Sequence, residues 1–357
     1  MKQGWERKKL GEVIKEYSVR NKNGAEYPVY SVTNSQGFCR DYFSKDVASK
    51  EKSTYKIVPK GCFAYNPSRI NVGSVDWQRN EEYVIVSPLY VVFETLKEIN
   101  NDFLLYYLKS ATTMLYINNL ATGTVRANLK FDILSSFPIV IPPLPIQERI
   151  VEELDCISGI IEKKKEQLKE LDALAQSIFY TMFGDPVEND KGWEVKKFKD
   201  CYKLTSGKNL TAKKIIEGDY PVYGGNGIVG YHCDYNLDGD NIIIGRVGAL
   251  CGNVRNIFGK AYITDNAFIL TKLEEGNNVF ILYLLRLHDL RQYARDALQP
   301  VISNAGFQNI EIILPPLPLQ QEFAKKIEAI EKQKELIKRS IGEVETLLAS
   351  RMQEYFE

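Results

Sequence analysis

The chain is written twice, and that constrains its fold more than any other feature. Gly4-Trp5-Glu6, followed by Lys8-Lys9-Leu10, returns 188 residues later as Gly192-Trp193-Glu194, followed by Lys196-Lys197-Phe198. Tyr27-Pro28-Val29-Tyr30 returns after 193 residues as Tyr220-Pro221-Val222-Tyr223. Pro142-Pro143-Leu144-Pro145-Ile146-Gln147 returns after 173 as Pro315-Pro316-Leu317-Pro318-Leu319-Gln320. The order is kept while the offset drifts, as two copies of one unit with loops of unequal length would give.

Each half has one plan. A body of mixed structure comes first, residues 1–146 and 185–319, with short β-branched runs such as Val84-Ile85-Val86 and Ile242-Ile243-Ile244 between turn residues. A helical stretch closes each body, at 102–116 and 279–297. The Pro-Pro-Leu-Pro segment then reads as a stiff hinge, since proline blocks helix and sheet alike. A long amphipathic helix ends each half, at 147–184 and 320–357. Without regular strand–helix alternation the bodies are expected to be α+β with antiparallel strands.

The long helices carry matching apolar seams. Leu154, Ile157, Ile161, Leu168, Leu171 and Ile178 alternate spacings of three, four and seven, with Lys164 on the same line. Ile327, Ile330, Ile337, Ile341, Val344 and Leu348 do the same, with Lys334 on theirs. All share one register at an offset of 173. A seam of this length, flanked by charge, predicts a coiled coil. Two copies of one unit suggest a pseudo-two-fold axis, which requires the helices to pair antiparallel.

Composition narrows the class. With 44% apolar and 26% charged residues this is a globular chain, and no run approaches the ~18 apolar residues of a membrane span. The amino terminus carries no apolar run, so no secretory signal is expected, and the six cysteines form no Cys-x-x-Cys pair. They read as reduced thiols of a cytoplasmic protein. Net charge is zero, which leaves little sequence-blind attraction for phosphate. Local patches or a partner must then supply much of any grip on nucleic acid.

No catalytic or metal constellation is visible. The two histidines, His232 and His288, lack partners at ligand spacing, and no phosphate-cradling loop or nucleophile elbow occurs. Gly225-Asn226-Gly227-Ile228-Val229-Gly230 satisfies a dinucleotide-loop pattern in letters. The next residues, Tyr231-His232-Cys233-Asp234-Tyr235-Asn236, have turn chemistry rather than the helical period such a site needs. Tyr65-Asn66-Pro67-Ser68 lacks the second proline and aromatic of an adenine methyltransferase loop. There remain basic and amide residues in loops. Arg246 comes after an apolar strand, between glycines that let backbone approach a ligand, and Arg69 matches it at an offset of 177. Arginine reads guanine bidentately and clamps phosphate. Asn66, Asn128, Asn226 and Asn304 are candidate adenine readers. Arg126, Lys130, Lys208 and Lys213 are candidate phosphate or base contacts.

The order of parts resembles the specificity subunit of type I restriction-modification systems. The resemblance is carried by Ile141-Pro142-Pro143-Leu144-Pro145-Ile146-Gln147-Glu148 with its copy at 314–320, and by Ile243-Ile244-Gly245-Arg246-Val247-Gly248 followed by Ile263-Thr264-Asp265-Asn266. It implies two target-recognition domains reading a bipartite site in double-stranded DNA, held apart by an antiparallel helix pair. It also implies a non-catalytic chain without cofactors. Two DNA methyltransferase subunits, and restriction subunits with endonuclease and translocase activity, would bind the methyl donor and ATP. About 36 helical residues at ~1.5 Å each give a spacer of roughly 54 Å. That suffices for half-sites one DNA turn, ~34 Å, apart. A stand-alone DNA-binding regulator or inhibitor built on the same repeat is the alternative.

Overall fold

The computed structural model describes residues 4–40, 52–120, 128–295 and 300–356. The chain divides into two compact units: Met1–Lys164 with Ser340–Glu357, and Lys165–Arg339. Each unit therefore owns part of both long helices.

In the first unit, β1 (Glu6–Lys9) is followed by β2 (Ile14–Glu16), β3 (Ser31–Thr33) and β4 (Gly37–Cys39). Then come β5 (Lys56–Pro59), β6 (Phe63–Tyr65), β7 (Val75–Trp77), β8 (Tyr83–Val86) and β9 (Val91–Thr95). Helices α1 (Asn101–Lys109), α2 (Ala111–Leu120) and α3 (Phe131–Ser135) lead to β10 (Pro138–Ile141) and the long α4 (Leu144–Phe183). The main sheet runs β2-β9-β6-β7, antiparallel throughout, with β3–β4 and β5–β8 as separate ribbons. Its inward face carries Phe63 and Phe93, stacked at 4.9 Å, under the buried Phe103, Leu104 and Leu108 of α1. The expected single helix at 102–116 is broken at Ser110, whose extended backbone ends α1 and whose Oγ accepts the Thr113 N–H.

The second unit repeats this design. After β11 (Val195–Lys197) and α5 (Phe198–Cys201) come β12 (Tyr202–Ser206), β13 (Tyr220–Gly224), β14 (Gly227–His232), β15 (Asn241–Gly245), β16 (Val254–Ile257), β17 (Tyr262–Ile263) and β18 (Ala267–Lys272). The unit continues through α6 (Asn278–Leu287), α7 (Asn304–Phe307) and β19 (Glu311–Ile313) into α8 (Leu317–Phe356). The sheet order β12-β18-β15-β16 reproduces that of the first unit, strand for strand. The bodies are α+β with antiparallel main sheets, as the patterning predicts. The Gly225–Gly230 run is the β13–β14 hairpin, so no helix opens there. Both histidines are buried, with His232 Nδ1 meeting the Ile216 N–H at 3.0 Å.

The proline segments are not hinges. α4 and α8 begin at Leu144 and Leu317, three residues before Gln147 and Gln320, with Pro145 and Pro318 inside the first turn. Proline is tolerated there because the first N–H groups have no helical partner to lose. The glutamine that ends each motif is a buried lock. Gln147 donates to the Pro142 and Glu98 carbonyls at 2.8 and 2.9 Å and accepts the Asn100 N–H at 2.7 Å. Gln320 donates to the Pro315 carbonyl at 2.8 Å and accepts the Asn277 N–H at 3.0 Å. Asn100 and Asn277 in turn cap α1 and α6, so each motif ties its long helix to its own body.

α4 and α8 pack antiparallel. In the first unit Glu153 meets Arg351 Nε at 2.8 Å and the Tyr355 hydroxyl at 2.6 Å. In the second, Asp172 meets Lys334 at 2.7 Å and Phe179 meets Phe323 at 5.6 Å. As the number on α4 rises, that on its partner falls. No predicted seam residue is exposed. Leu154, Ile157, Ile161, Ile327, Ile330 and Ile341 are buried, while Leu168, Leu171, Ile178, Ile337, Val344 and Leu348 are half-buried. Lys334, the charge on the second seam, is satisfied by Asp172 and by Glu331 at 2.7 Å.

The helix ends do more than pair, because they complete the body cores. Ala175, Phe179, Phe183, Phe323 and Ile327 belong to the core of the second unit. Ile150 and Leu154, with Leu348, Met352 and Phe356 packed against them, close the first. These sets are related by the same offset of 173. Within each unit the seam runs into the core, through Leu154 and Leu348 in the first and through Leu171, Ile178, Ile327 and Ile330 in the second.

Candidate nucleic-acid interface

In the second unit, glycines let chain segments meet backbone to backbone. A Cβ on Gly207 would fall 2.3 Å from the Thr264 carbonyl oxygen, and one on Gly245 2.2 Å from that of Gly225. From sequence, Gly245 beside Arg246 is expected to open the backbone to a ligand. Here the Gly225 backbone itself occupies that space.

Arg246 stands at this junction, one residue past β15. Its N–H donates to the Asn266 carbonyl at 3.0 Å, and its own carbonyl accepts the Ile302 N–H at 2.9 Å. Nη1 donates to Ser206 Oγ at 2.9 Å and to the Asp265 carbonyl at 3.3 Å, while the guanidinium lies 5.1 Å from the Phe268 ring centre. Nε is buried without a partner, and Nη2 makes no bond among the described residues. A guanidinium braced through one nitrogen keeps a fixed direction for the other, which suits readout of a base edge or phosphate.

The other candidates of this unit gather nearby. Lys208 is exposed two residues beyond Ser206, with its N–H on the Ile263 carbonyl at 3.0 Å. Asn226 is exposed in the β13–β14 turn, and Asn304 is exposed at the start of α7, two residues after Ile302. Lys213 is exposed on a short 3-10 turn over Ala212–Lys214.

The first unit assembles a second cluster by the same route. The Leu129 N–H donates to the Pro67 carbonyl at 3.2 Å, and the Tyr65 hydroxyl donates to the Leu129 carbonyl at 3.0 Å. This brings Asn128 and Lys130, both exposed, against the loop that carries Asn66 and the exposed Arg69. Asn66 is half-buried, and its Oδ1 accepts the Ser68 N–H at 3.0 Å. Arg69 makes no side-chain bond among the described residues. Arg126 lies outside the described residues, as does the rest of 121–127.

The ladders correct one equivalence. Phe63 pairs with Phe93 where Ile242 pairs with Leu270, so β6 and β15 differ by 179, not 177. Two backbone bonds agree. Leu129 to Pro67 corresponds to Ile302 to Arg246, and Asn66 to Ser74 corresponds to Gly245 to Asn253. The partner of Arg246 is thus Pro67, and Arg69 stands two residues further along its loop. The two arginines share a region but not a position, which is why the described residues brace only Arg246. None of the sequence motifs points to the β3–β4 turn beside the Arg69 loop, or to Asp76 and Arg255, which hold the two hairpins. Among the described residues no group of histidine, cysteine or acidic side chains is placed to hold a metal, and no helix is long and apolar enough to cross a membrane.

Comparison with known proteins gives one answer in both halves. The model of the type I restriction modification DNA specificity domain matches residues 2–172 and again 190–346. The EcoprrI type I restriction enzyme specificity subunit of Escherichia coli is 30% identical over 186 residues, covering 50% of this chain and 46% of that one. The MjaIX specificity subunit of Methanocaldococcus jannaschii is 25% identical over 268 residues, covering 64% and 62%. The matched region thus spans about half to three-fifths of these curated relatives. Among solved structures, the type I restriction-modification S subunit from M. genitalium superposes with a TM-score of 0.54 at 16% identity, covering 99% and 96%. A chain from a study of assembly and conformational transition in the type I R-M system reaches 0.61 at 16% identity, covering 99% and 97%. At these identities the structures speak to the fold alone.

Proposed function

Because this chain belongs to the type I restriction modification DNA specificity family, we propose that it reads a bipartite double-stranded DNA site and brings DNA methyltransferase and restriction subunits to it. The observation that carries this reading is the duplication. Each family match takes in one body, with its own cluster of exposed amide and basic side chains, and most of the long helix that follows it. On this reading the chain is not itself an enzyme, and the methyl donor and ATP are bound by two methyltransferase subunits and by restriction subunits, in the cytoplasm. Its zero net charge fits a subunit whose partners share the work of gripping phosphate.

The test is direct. The purified chain, incubated with DNA and a labelled methyl donor, should transfer no label until a methyltransferase subunit that co-purifies with it is added. Transfer by the chain alone, in proportion to its concentration, contradicts the proposal.

The two arginines should separate under mutation. Arg69→Ala removes an exposed side chain with no bonds among the described residues, so unfolding stability should change by less than ~0.5 kcal/mol while DNA binding weakens. Arg246→Ala removes two hydrogen bonds and a ring contact, so it should lower the melting temperature as well as relax one half-site by ~1–3 kcal/mol. Equal melting temperatures for the two variants would mean that Arg246 braces nothing.

A further inference from the structure

Each unit places a hairpin turn beside its candidate loop. In the first, β3 and β4 join through Asn34-Ser35-Gln36, all exposed, and a Cβ on Gly73 of the Arg69 loop would lie 3.2 Å from Asn34 Oδ1. In the second, β13 and β14 join through Gly225-Asn226, and a Cβ on Gly248 would lie 3.7 Å from Asn226 Nδ2. The hairpins are counterparts. Val29 bridges Ile85 in parallel just before the first, as Val222 pairs with Tyr262 in the second.

One position in the sheet holds both hairpins, by opposite chemistry. Tyr65 pairs with Val75 where Ile244 pairs with Val254, so Asp76 of β7 and Arg255 of β16 are equivalent. Asp76, buried, accepts the Phe38 N–H through Oδ2 at 3.0 Å and binds Arg79 Nη1 through Oδ1 at 2.8 Å. Arg79 continues to Asp102 at 3.0 Å and lies 4.3 Å from the Trp77 ring centre. Gly37, at φ +61°, presses against the carboxylate, where a Cβ would fall 1.9 Å from Oδ2. Arg255 instead donates Nη2 to the Asn226 carbonyl at 2.8 Å. The anion grips a hairpin N–H, and the cation grips a hairpin carbonyl.

Asp76 is buried but Arg79 is exposed, so the pair adds little net stability. With one oxygen on the Phe38 N–H and the other on Arg79, the carboxylate holds the hairpin in one orientation. Geometry is what a base-reading group needs. A two-stranded ribbon fits the major groove, and an amide side chain pairs with adenine through two bonds that tolerate little displacement. We propose, resting on the function above, that the two turns are the reading heads. Asn34 and Gln36 determine specificity in the first unit and Asn226 in the second, while Asp76 and Arg255 position them.

The test uses the full chain assembled with its methyltransferase subunits, acting on a DNA library randomised over the site, with methylated molecules sequenced. Exchange of Asn34 and Gln36 for alanine, both on an exposed turn, should lower discrimination about 5- to 150-fold at one or two positions of one half-site, leaving the other half unchanged. Asp76→Asn, which keeps one acceptor, should blur the same positions to a smaller degree. Asn226→Ala should blur the opposite half only. An unchanged preference with the Asn34 and Gln36 replacements, or a loss spread evenly over both halves, overturns the assignment. Wild-type complex run in parallel keeps the two readings apart. If it methylates no split site, the proposed function itself fails, whatever the variants do.

Discussion

Replacing Phe179 by alanine should destabilise the second unit by about 3–5 kcal/mol, the range for a large aromatic removed from a closed core. Phe179 is fully buried and stacks on Phe280 at 5.7 Å, with Phe183 and Phe323 at 5.0 and 5.6 Å. Four rings from three helices close this core, and none can move into the gap without leaving another. Chemical denaturation followed by near-UV circular dichroism reads the loss. Tyr180→Ala, one residue away on an exposed position, should cost less than ~0.5 kcal/mol. Similar costs for the two variants would mean that the end of α4 does not belong to the core.

A fragment of residues 1–184 should form a homodimer. In the whole chain the first body is closed by Leu348, Met352 and Phe356, with Phe356 at 5.2 Å from Phe103. The fragment lacks that segment and would leave the apolar surface in water, at ~1.5–3 kcal/mol for each side chain otherwise fully buried. It retains Ala175, Phe179 and Phe183, which stand at the equivalent positions 173 residues earlier. A second copy can offer them to the first body, and a two-fold axis makes the exchange mutual. Sedimentation should show a dimer at micromolar concentration and a monomer for the Phe179→Asp fragment. A stable wild-type monomer would show that the two helix ends are not interchangeable.

The range of a contact decides whether sequence reveals it. The seam of Leu154, Ile157 and Ile161 is legible because a heptad is a local pattern, and its structural role is the one that the spacing implies. The Pro-Pro-Leu-Pro segments read as hinges only if proline is weighed by its cost inside a helix, whereas Pro145 and Pro318 occupy a first turn. The role of Gln147 is invisible in sequence, since its partners Glu98 and Asn100 lie almost fifty residues back in the chain. The pairing of Arg69 with Arg246 fails by two residues, because offsets change between short strands and only a ladder fixes the register. The hairpin clamps leave no sequence signal at all. Asp76 reaches Phe38 across 38 residues, and its counterpart Arg255 carries the opposite charge, so no repeat search would align them.

The candidate sites divide in the same way. Loop residues flanked by turn chemistry, such as Asn226 and Lys208, can be found because exposure is set by local composition. Their grouping around Arg246 cannot, because it depends on Gly207 and Gly245 allowing backbones to touch. Arginine in a glycine-flanked loop suggests a ligand contact, and the structure adds a bracing role that composition does not reveal.

Mapping the methylated bases in DNA treated with the complex that contains this chain tests the central claim most directly. Two bodies of one design, each with its own exposed cluster, predict a split site: two short specified blocks separated by a gap of fixed length whose sequence does not matter. Substitutions in the second body should alter one block only. A single contiguous site, or the same methylation pattern when this chain is left out, would contradict the account.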